Sequence, residues 1–385
     1  MPADLGSGKV IYEPLPLSKH VCEGFEMAQH FLRSKAYRDF SDDDFDNMNE
    51  SQAWEWFVLA RWGNLKNVTC PTSSETDEHW FNRQRKQWRC RHCNRVFSVT
   101  SETPFARRRL TFKKLLKLIF WFISDAKGLA ATKAARELNV GYLTAYQNLN
   151  KIREAIHGAQ DRTPLTEYVQ IDGGHFCGKP RRPQFRRKMT SEIANHHLKN
   201  RKAGMVPGLS KIKMESWNVE KLIKRRIVLP ITQVGRDDGD GSIRTITCIL
   251  RAEKAEEVVP RVRKYVAAGS TVHTDDGNAY SSLSGWYDHA SVKHSEMYSR
   301  PDGVNNNQAE SFISRLRRAE YGIYHGMRPE YLAFYAAETA WRVDNRKLSA
   351  KEKLKKLLGL LMHSDISLAF RGYYQGHRLE CEYLG

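Results

Sequence analysis

Near residue 166 the apolar pattern of this 385-residue chain changes period. Over residues 111–157 apolar side chains recur every three or four positions, as on one face of a helix. Beyond that stretch they gather in short β-branched runs: 166–172 (TEYVQID), 226–234 (RIVLPITQV), 242–250 (SIRTITCIL) and 270–275 (STVHTD). A helical stretch at 255–268 separates the third run from the fourth. A further strand over 290–294 and a helix over 306–318 follow. The order is strand, basic insertion, strand, strand, helix, strand, strand, helix. That succession suits an α/β sheet of the ribonuclease H type, with a hairpin of strands before the first helix.

The first half of the chain has a different build. Residues 111–157 read as helices. In the last of them, from about 142, Ala145, Leu149, Ile152 and Ile156 form a buried stripe, while Gln147, Asn148, Asn150, Lys151 and Arg153 take the other face. Preceded by a helix at 131–138 and a turn at 139–141, this is the layout of a helix-turn-helix, whose second helix can enter a major groove. Any three-helix bundle shows the same pattern; the flanking charge favours DNA.

Lys and Arg number 62 against 44 Asp and Glu, a net charge of +18, and the excess is concentrated. Residues 81–117, which include Arg107, Arg108 and Arg109, hold 12 basic and 1 acidic side chains. Residues 179–226, which include Arg186, Arg187 and Lys188, hold 15 and 3, whereas residues 1–50 hold 5 and 10. Clustered cations of this kind fit a polyanion, because each neutralised phosphate releases counterions. The longest strictly apolar runs, 118–123 and 357–362, are far shorter than the roughly 20 residues a membrane helix needs. With no apolar leader and only seven cysteines, the expectation is a soluble protein of a reducing compartment, with no membrane partner.

Residues 70–99 resemble a small metal ribbon. Cys70-Pro71 opens it and Cys90-Arg91-His92-Cys93 closes it, a spacing that can set ligands tetrahedrally around Zn²⁺. Ser73 stands where the first knuckle needs its second thiol. His79, or less comfortably His92, offers a fourth ligand; a metal-free ribbon held by Trp80, Trp88 and Phe97 is the alternative.

Three acids stand out in the second half. Asp172 and Asp275 each end a strand, where ligand sites of open α/β sheets collect, and Glu310 lies near the start of the late helix. In that helix Ala309, Phe312, Ile313 and Leu316 form the apolar stripe, and Asn307, Glu310, Ser314 and Arg317 share another face. A strand-end Asp is commonly only a turn residue. Three convergent carboxylates, however, repel one another unless divalent cations resolve the conflict, and two such ions can clamp a phosphodiester displacement.

Several long motifs carry a resemblance: CP…WRCRHCNRVFSVTSETPF, GLAATKAARELNVGYLTAYQNLNKIREAI, IDGGHFCG, HTDDGNAY, NNNQAESFISRLRRAEYGIYH and AWRVDNR. From about residue 50 to 375 the chain resembles the zinc-ribbon DDE transposases of insertion sequences, the ISXO-two-like group of the IS-fifteen-ninety-five family. The resemblance implies a ribonuclease H-like core in which Asp172, Asp275 and Glu310 hold two Mg²⁺ (or Mn²⁺) ions, Asp172 bridging both. It implies cleavage at the ends of an element, then attack of the freed 3′-hydroxyls on target DNA. Asp275 is preferred to the adjoining Asp276 because its separation from Tyr280 matches the motif. Asn307, one turn before Glu310 on the same face, matches a polar position of the motif and would orient the DNA substrate or the metal shell. Arg317 and Arg318, with His325, would contact DNA near the cut, although internal salt bridges suit any one of them equally.

The expected organisation is a helical segment at 1–66, the zinc ribbon at 67–105, the helix-turn-helix at 106–160, the catalytic domain at 165–346 and a C-terminal tail at 347–385. The insertion at 179–226 suits either a DNA clamp or a partly disordered arm. Double-stranded DNA and a second copy of the chain in a paired-end complex are the expected partners, in the bacterial cytoplasm at the nucleoid. Two rival readings are a transposase-derived DNA-binding protein that no longer cuts, and a nuclease or resolvase on the same fold. The three acids argue against the first, and the ribbon with the helix-turn-helix against the second.

Overall fold

Capping fixes where the first helices begin. Helix α1 (Asp42–Asp46) starts at Ser41, whose backbone N–H donates to the Asp44 carboxylate at 2.7 Å. Helix α2 (Glu50–Trp62) starts at Asn49, whose side chain accepts from Ser51 and Gln52, and stops at Gly63, which takes φ +72°. The computed structural model describes residues 34–35, 37–177, 224–235, 241–293, 303–379 and 381–384. Arg186, Arg187 and Lys188, with most of the basic insertion, lie outside the described residues.

The ribbon consists of a hairpin, β1 (Val68–Thr69) with β2 (Thr76–Asp77), and an antiparallel meander of β3 (Trp80–Asn82), β4 (Gln87–Arg89) and β5 (Val96–Ser98). Trp88 lies between Phe81 and Phe97 in register and stacks on Trp54 of α2 at 5.6 Å, so aromatic contacts seat the ribbon on that helix. Trp80, expected to help hold the ribbon, is instead 53% exposed, with Arg91 over its ring. Successive residues of a strand face opposite ways, and Trp80 falls on the outer side.

Helix α3 (Phe112–Ser124) has eight buried residues and forms the middle of the helical core. Its N-terminus is capped from α2: the Glu50 carboxylate accepts from the N–H groups of Phe112 (2.6 Å) and Lys113 (3.0 Å). Helices α4 (Ala131–Glu137) and α5 (Tyr142–Gly158) follow, joined by a turn in which Asn139 has φ +49°. The stripe Ala145, Leu149, Ile152 and Ile156 is buried as the periodicity indicates.

The second half is built on a mixed sheet of β6 (Tyr168–Ile171), β7 (Gly174–Phe176), β8 (Arg226–Val234), β9 (Ser242–Leu250), β10 (Thr271–Asp275) and β11 (Asp288–Val292). Its order is β11-β10-β6-β8-β9, with β7 pairing β8 beyond the end of β6. The strand alternation of β8 supplies both faces. Ile227, Leu229 and Ile231 join a core with Val258 and Val262 of α6 (Ala255–Tyr265). Val228 turns toward Phe312 and Leu316 of α7 (Asn307–Ala319) and toward α8 (Leu332–Asp344).

Helix α8 also covers α5, and this overturns one expectation. Arg153, assigned from the sequence to a DNA-facing surface, is 2% exposed, and its Nε donates to Glu338 at 2.6 Å. Asn150 on the same face is buried too. Helical period finds one buried stripe; here a second helix buries the polar flank as well. Residues 347–385, set apart as a tail, contain α9 (Ala350–His363), whose Leu354, Leu357, Leu358 and Leu361 share one core with α2, α3 and α5. Among the described residues no helix is long and apolar enough to cross a membrane.

Glu338 binds Arg342 (Nη2 at 2.8 Å) and Tyr324 (2.9 Å) as well as Arg153. Burial opposes its ionisation, and the two guanidiniums outweigh that, holding its carboxyl below the ordinary value. Breaking one side of a buried ion pair costs about 3–5 kcal/mol. Urea denaturation should place Glu338→Ala at or above that range. Arg153→Ala should cost less, because Glu338 keeps Arg342.

Candidate active site and metal centres

Two adjacent parallel strands bring the first two acids together. Strands β6 and β10 pair in parallel with Ile171 opposite Thr274, so the next residues, Asp172 and Asp275, stand side by side where the strands end. Neighbouring strands are about 4.8 Å apart, which sets the spacing of the two backbones. Strand β10 stops at Asp275; Asp276 is exposed, and its N–H donates to Asp275 Oδ1 at 2.6 Å. Glu310 lies in the first turn of α7, its N–H bonded to Asn306 O at 3.1 Å. Asp172, Glu310, Arg317 and Arg318 line one open hollow of about 380 Å³. Asn307 is exposed at the first position of α7 and does not line it.

A polar network fixes α7 over the strand ends. Gln170, 1% exposed and two residues before Asp172, donates to Asn305 Oδ1 (2.9 Å) and Tyr168 Oη (2.9 Å) and accepts from the N–H of Gln308 (2.8 Å). Tyr168 in turn meets His273 Nδ1 at 2.7 Å. Side chains of β6 and β10 thereby hold the residues that open the helix carrying Glu310. Sequence reasoning did not single out Gln170; its only signal is an amide inside an otherwise apolar strand.

A fourth carboxylate, Glu253, also escaped sequence reasoning. It accepts from Tyr280 Oη at 2.8 Å, lies 3.6 Å from His175 Nε2, and packs so tightly on Gly173 that a Cβ there would overlap it. In the sequence nothing separates it from its neighbours Glu256 and Glu257. Burial pushes the Asp172 carboxyl up to about 7, against the Gly173 N–H that it accepts, and the charges of Glu310, Glu253 and Asp275 add to the rise. Hard oxygen donors crowded to this degree fit a divalent cation, whose charge would relieve the conflict.

The ribbon supplies a second donor set. The Sγ atoms of Cys70, Cys90 and Cys93 all lie within 4.8 Å of one another, with Cys70 and Cys93 at 3.6 Å. The two knuckles share one backbone pattern. Cys70 N–H bonds Glu75 O and Ser74 N–H bonds Cys70 O; Cys90 N–H bonds Arg95 O and Asn94 N–H bonds Cys90 O. Ser74 and Asn94 both take φ +59°. Ser73 therefore occupies in the first knuckle the place of Cys93 in the second, and its Oγ lies 3.4 Å from Cys90 Sγ. His79, expected as the fourth ligand, is not in this group: Arg91 N–H donates to its Nδ1 at 3.4 Å, and its ring stands edge-on to Phe97. Burial raises the Cys90 thiol, but hydrogen bonds from the Cys93 and His92 N–H groups and from Ser73 bring it down to about 6. Three thiols, one near its thiolate form, and a hydroxyl suit Zn²⁺.

The remaining expected DNA-binding residues meet elsewhere. Arg107, Arg108, Arg109, Gln147, Asn148 and Lys151 line a cleft of about 740 Å³. Arg107 and Arg109 are exposed, whereas Arg108 turns back to Leu110 O and lies 3.4 Å over the Phe112 ring. Asn148 donates to Thr144 O at 2.8 Å.

Residues 164–344, which span the sheet and α6 to α8, match the family model of the ISXO2-like transposase domain. Residues 48–96, with α2 and the greater part of the ribbon, match that of the transposase zinc-ribbon domain. No curated protein and no solved structure matches the chain.

Two expected outcomes test the centres. Asp172 binds its proton more tightly in the folded chain than at its ordinary value of 3.8, so its contribution to stability is complete below that value and lost as pH rises through about 7. In chelator, wild-type melting temperatures should fall faster over this window than those of Asp172→Asn, and added Mg²⁺ or Mn²⁺ should close the gap near pH 7. For the ribbon, purified protein should carry zinc. Cys90→Ser should lose it, and Ser73→Cys should release it to a chelator more slowly than wild type.

Proposed function

We propose that this chain, which carries an ISXO2-like transposase domain and a transposase zinc-ribbon domain, is a DNA transposase. It binds the terminal repeats of an insertion sequence, cuts the DNA ends and joins the 3′-hydroxyls to target DNA. The observation that supports this best is the register of β6 and β10, with Asp172 beside Asp275 and Glu310 brought over from α7. We read the strand order β11-β10-β6-β8-β9, with its hairpin ahead of α6, as a ribonuclease H-like core, and α4 with α5 as a helix-turn-helix.

Two Mg²⁺ or Mn²⁺ ions held by Asp172, Asp275 and Glu310 would supply countercharge and Lewis acidity for an in-line phosphodiester displacement. The chain's own share is placement. Gln170 and His273 keep Glu310 in position through Asn305 and Gln308. Arg317 and Arg318 line the hollow beside Asp172 and Glu310, where they offset the charge of the phosphate being cut. Asn307 presents its amide to the flanking duplex. In the ribbon, Cys70, Cys90 and Cys93 would hold Zn²⁺, and the Ser73 hydroxyl beside Cys90 would be the donor nearest to them. Two copies meet in a paired-end complex, since both ends of an element must be joined to one target, and they act at the bacterial nucleoid.

The test is cleavage and strand transfer on duplexes carrying the element ends, with and without Mg²⁺. Asp275→Asn, Asp172→Asn and Glu310→Gln should each lower cutting by roughly 10²- to 10³-fold or more while DNA affinity stays nearly intact. Asp276→Asn should remain active. Cutting that needs no metal, or survives Asp275→Asn, would overturn the assignment.

A further inference from the structure

The 740 Å³ cleft has three walls, and the third comes from the C-terminal segment. The residues after the ribbon give Arg107 and Arg109, and α5 gives Gln147, Asn148 and Lys151. Arg371, Tyr374 and Gln375, which follow α9, complete the lining. Nothing in the sequence connected this last segment with DNA.

The third wall is built onto α5. Glu154, three residues after Lys151 on α5, accepts the backbone N–H groups of Leu368 (2.8 Å) and Ala369 (2.9 Å) and the Ser367 hydroxyl. Aromatic contacts seat the rest: Phe370 lies 5.2 Å from Tyr331, and Tyr373 lies 5.7 Å from Tyr146 of α5. The backbone leading to Arg371 is thereby fixed against α5, and the exposed Arg371 side chain lines the same cleft as Lys151.

Four cations of the cleft are left without an ion pair. Arg107, Arg109, Lys151 and Arg371 make no ion pair among the described residues, and Glu102, the one acid lining the cleft, is engaged by Arg95 at 2.9 Å. Burial lowers the Lys151 ammonium from its ordinary value and Arg371 lowers it further, against the pull of Glu154. Cations from three separate segments converge on one hollow that has room for a short run of sugar-phosphate and not for a whole duplex.

We propose that residues 367–375 are part of the DNA-binding surface and hold the phosphate backbone of one strand of duplex DNA against α5, with Arg371 on a phosphate. The proposal rests on the reading of the chain as a DNA-binding transposase and extends it to a segment outside both matched domains. A phosphate contact carries no sequence information, so its loss weakens all duplexes alike.

Binding of an element-end duplex and of an unrelated duplex, followed by fluorescence anisotropy across a salt series, separates the two levels. Arg371→Ala should weaken both complexes and reduce the slope of log K against log salt by about 0.9, the value of one phosphate. Arg371→Lys should keep the slope, as should Lys356→Ala, an exposed change on α9 that does not line the cleft. Unchanged urea midpoints would exclude misfolding as the cause. If wild type binds with a steep slope that Arg371→Ala leaves intact, the third wall is wrong and the DNA-binding reading survives. If wild type shows no salt-dependent binding, both fail.

Discussion

Glu338 sits in the middle of α8 with Arg153 of α5, Arg342 of its own helix and the Tyr324 hydroxyl around it. Arg342 carries the contact onward, donating to Asp125 O at 2.6 Å and to Phe122 O at the end of α3. The same helix packs its apolar residues in a core with Val228 and Ile249 of the sheet. One buried carboxylate thus ties the helices that follow the ribbon to the sheet that carries the acids. A buried pair of this kind adds little net stability over an apolar contact of the same shape, but it is severe when half broken. Its value lies in fixing which side of α5 faces α8, and so which side is left for the cleft.

That orientation matters because both sites are made from parts distant in sequence. The acids are brought side by side by a parallel ladder, which requires a crossover between β6 and β10. Glu310 is set in the same hollow as Asp172 with the help of Gln170, Tyr168 and His273, whose hydrogen bonds go to the residues opening α7. Buried polar networks are costly when partly satisfied. Here the cost of burying an amide in a central strand is offset by specifying where one helix starts.

Much of this was legible in the sequence, and the parts that were not have physical reasons. Strand runs ending in Asp172 and Asp275 could be read because a β-branched run and a terminal acid are both local signals. The stripe on α7 gave its buried side, and Phe312, Ile313 and Leu316 are buried accordingly. Arg153 misled because a helical period reports amphipathicity, not how many neighbours a helix has. His79 misled because ligand spacing counts residues along the chain, whereas the repeated knuckle turn puts Ser73 in the thiol's place. Glu253 gave no warning and Gln170 only a faint one, since their partners Tyr280 and Gln308 lie 27 and 138 positions away.

The helical core that contains α2 is completed by α9, whose leucines lie some 300 residues further along. Domains made early in translation usually fold as they emerge. This one cannot close its core until nearly the whole chain has left the ribosome, and closing so long a loop makes late contacts slow to form. A nascent chain therefore holds its ribbon and helices without the partner that finishes them. A prematurely ended product would lack the part of that core which α9 supplies, so the protein's first half is fully covered only once its last helices are made.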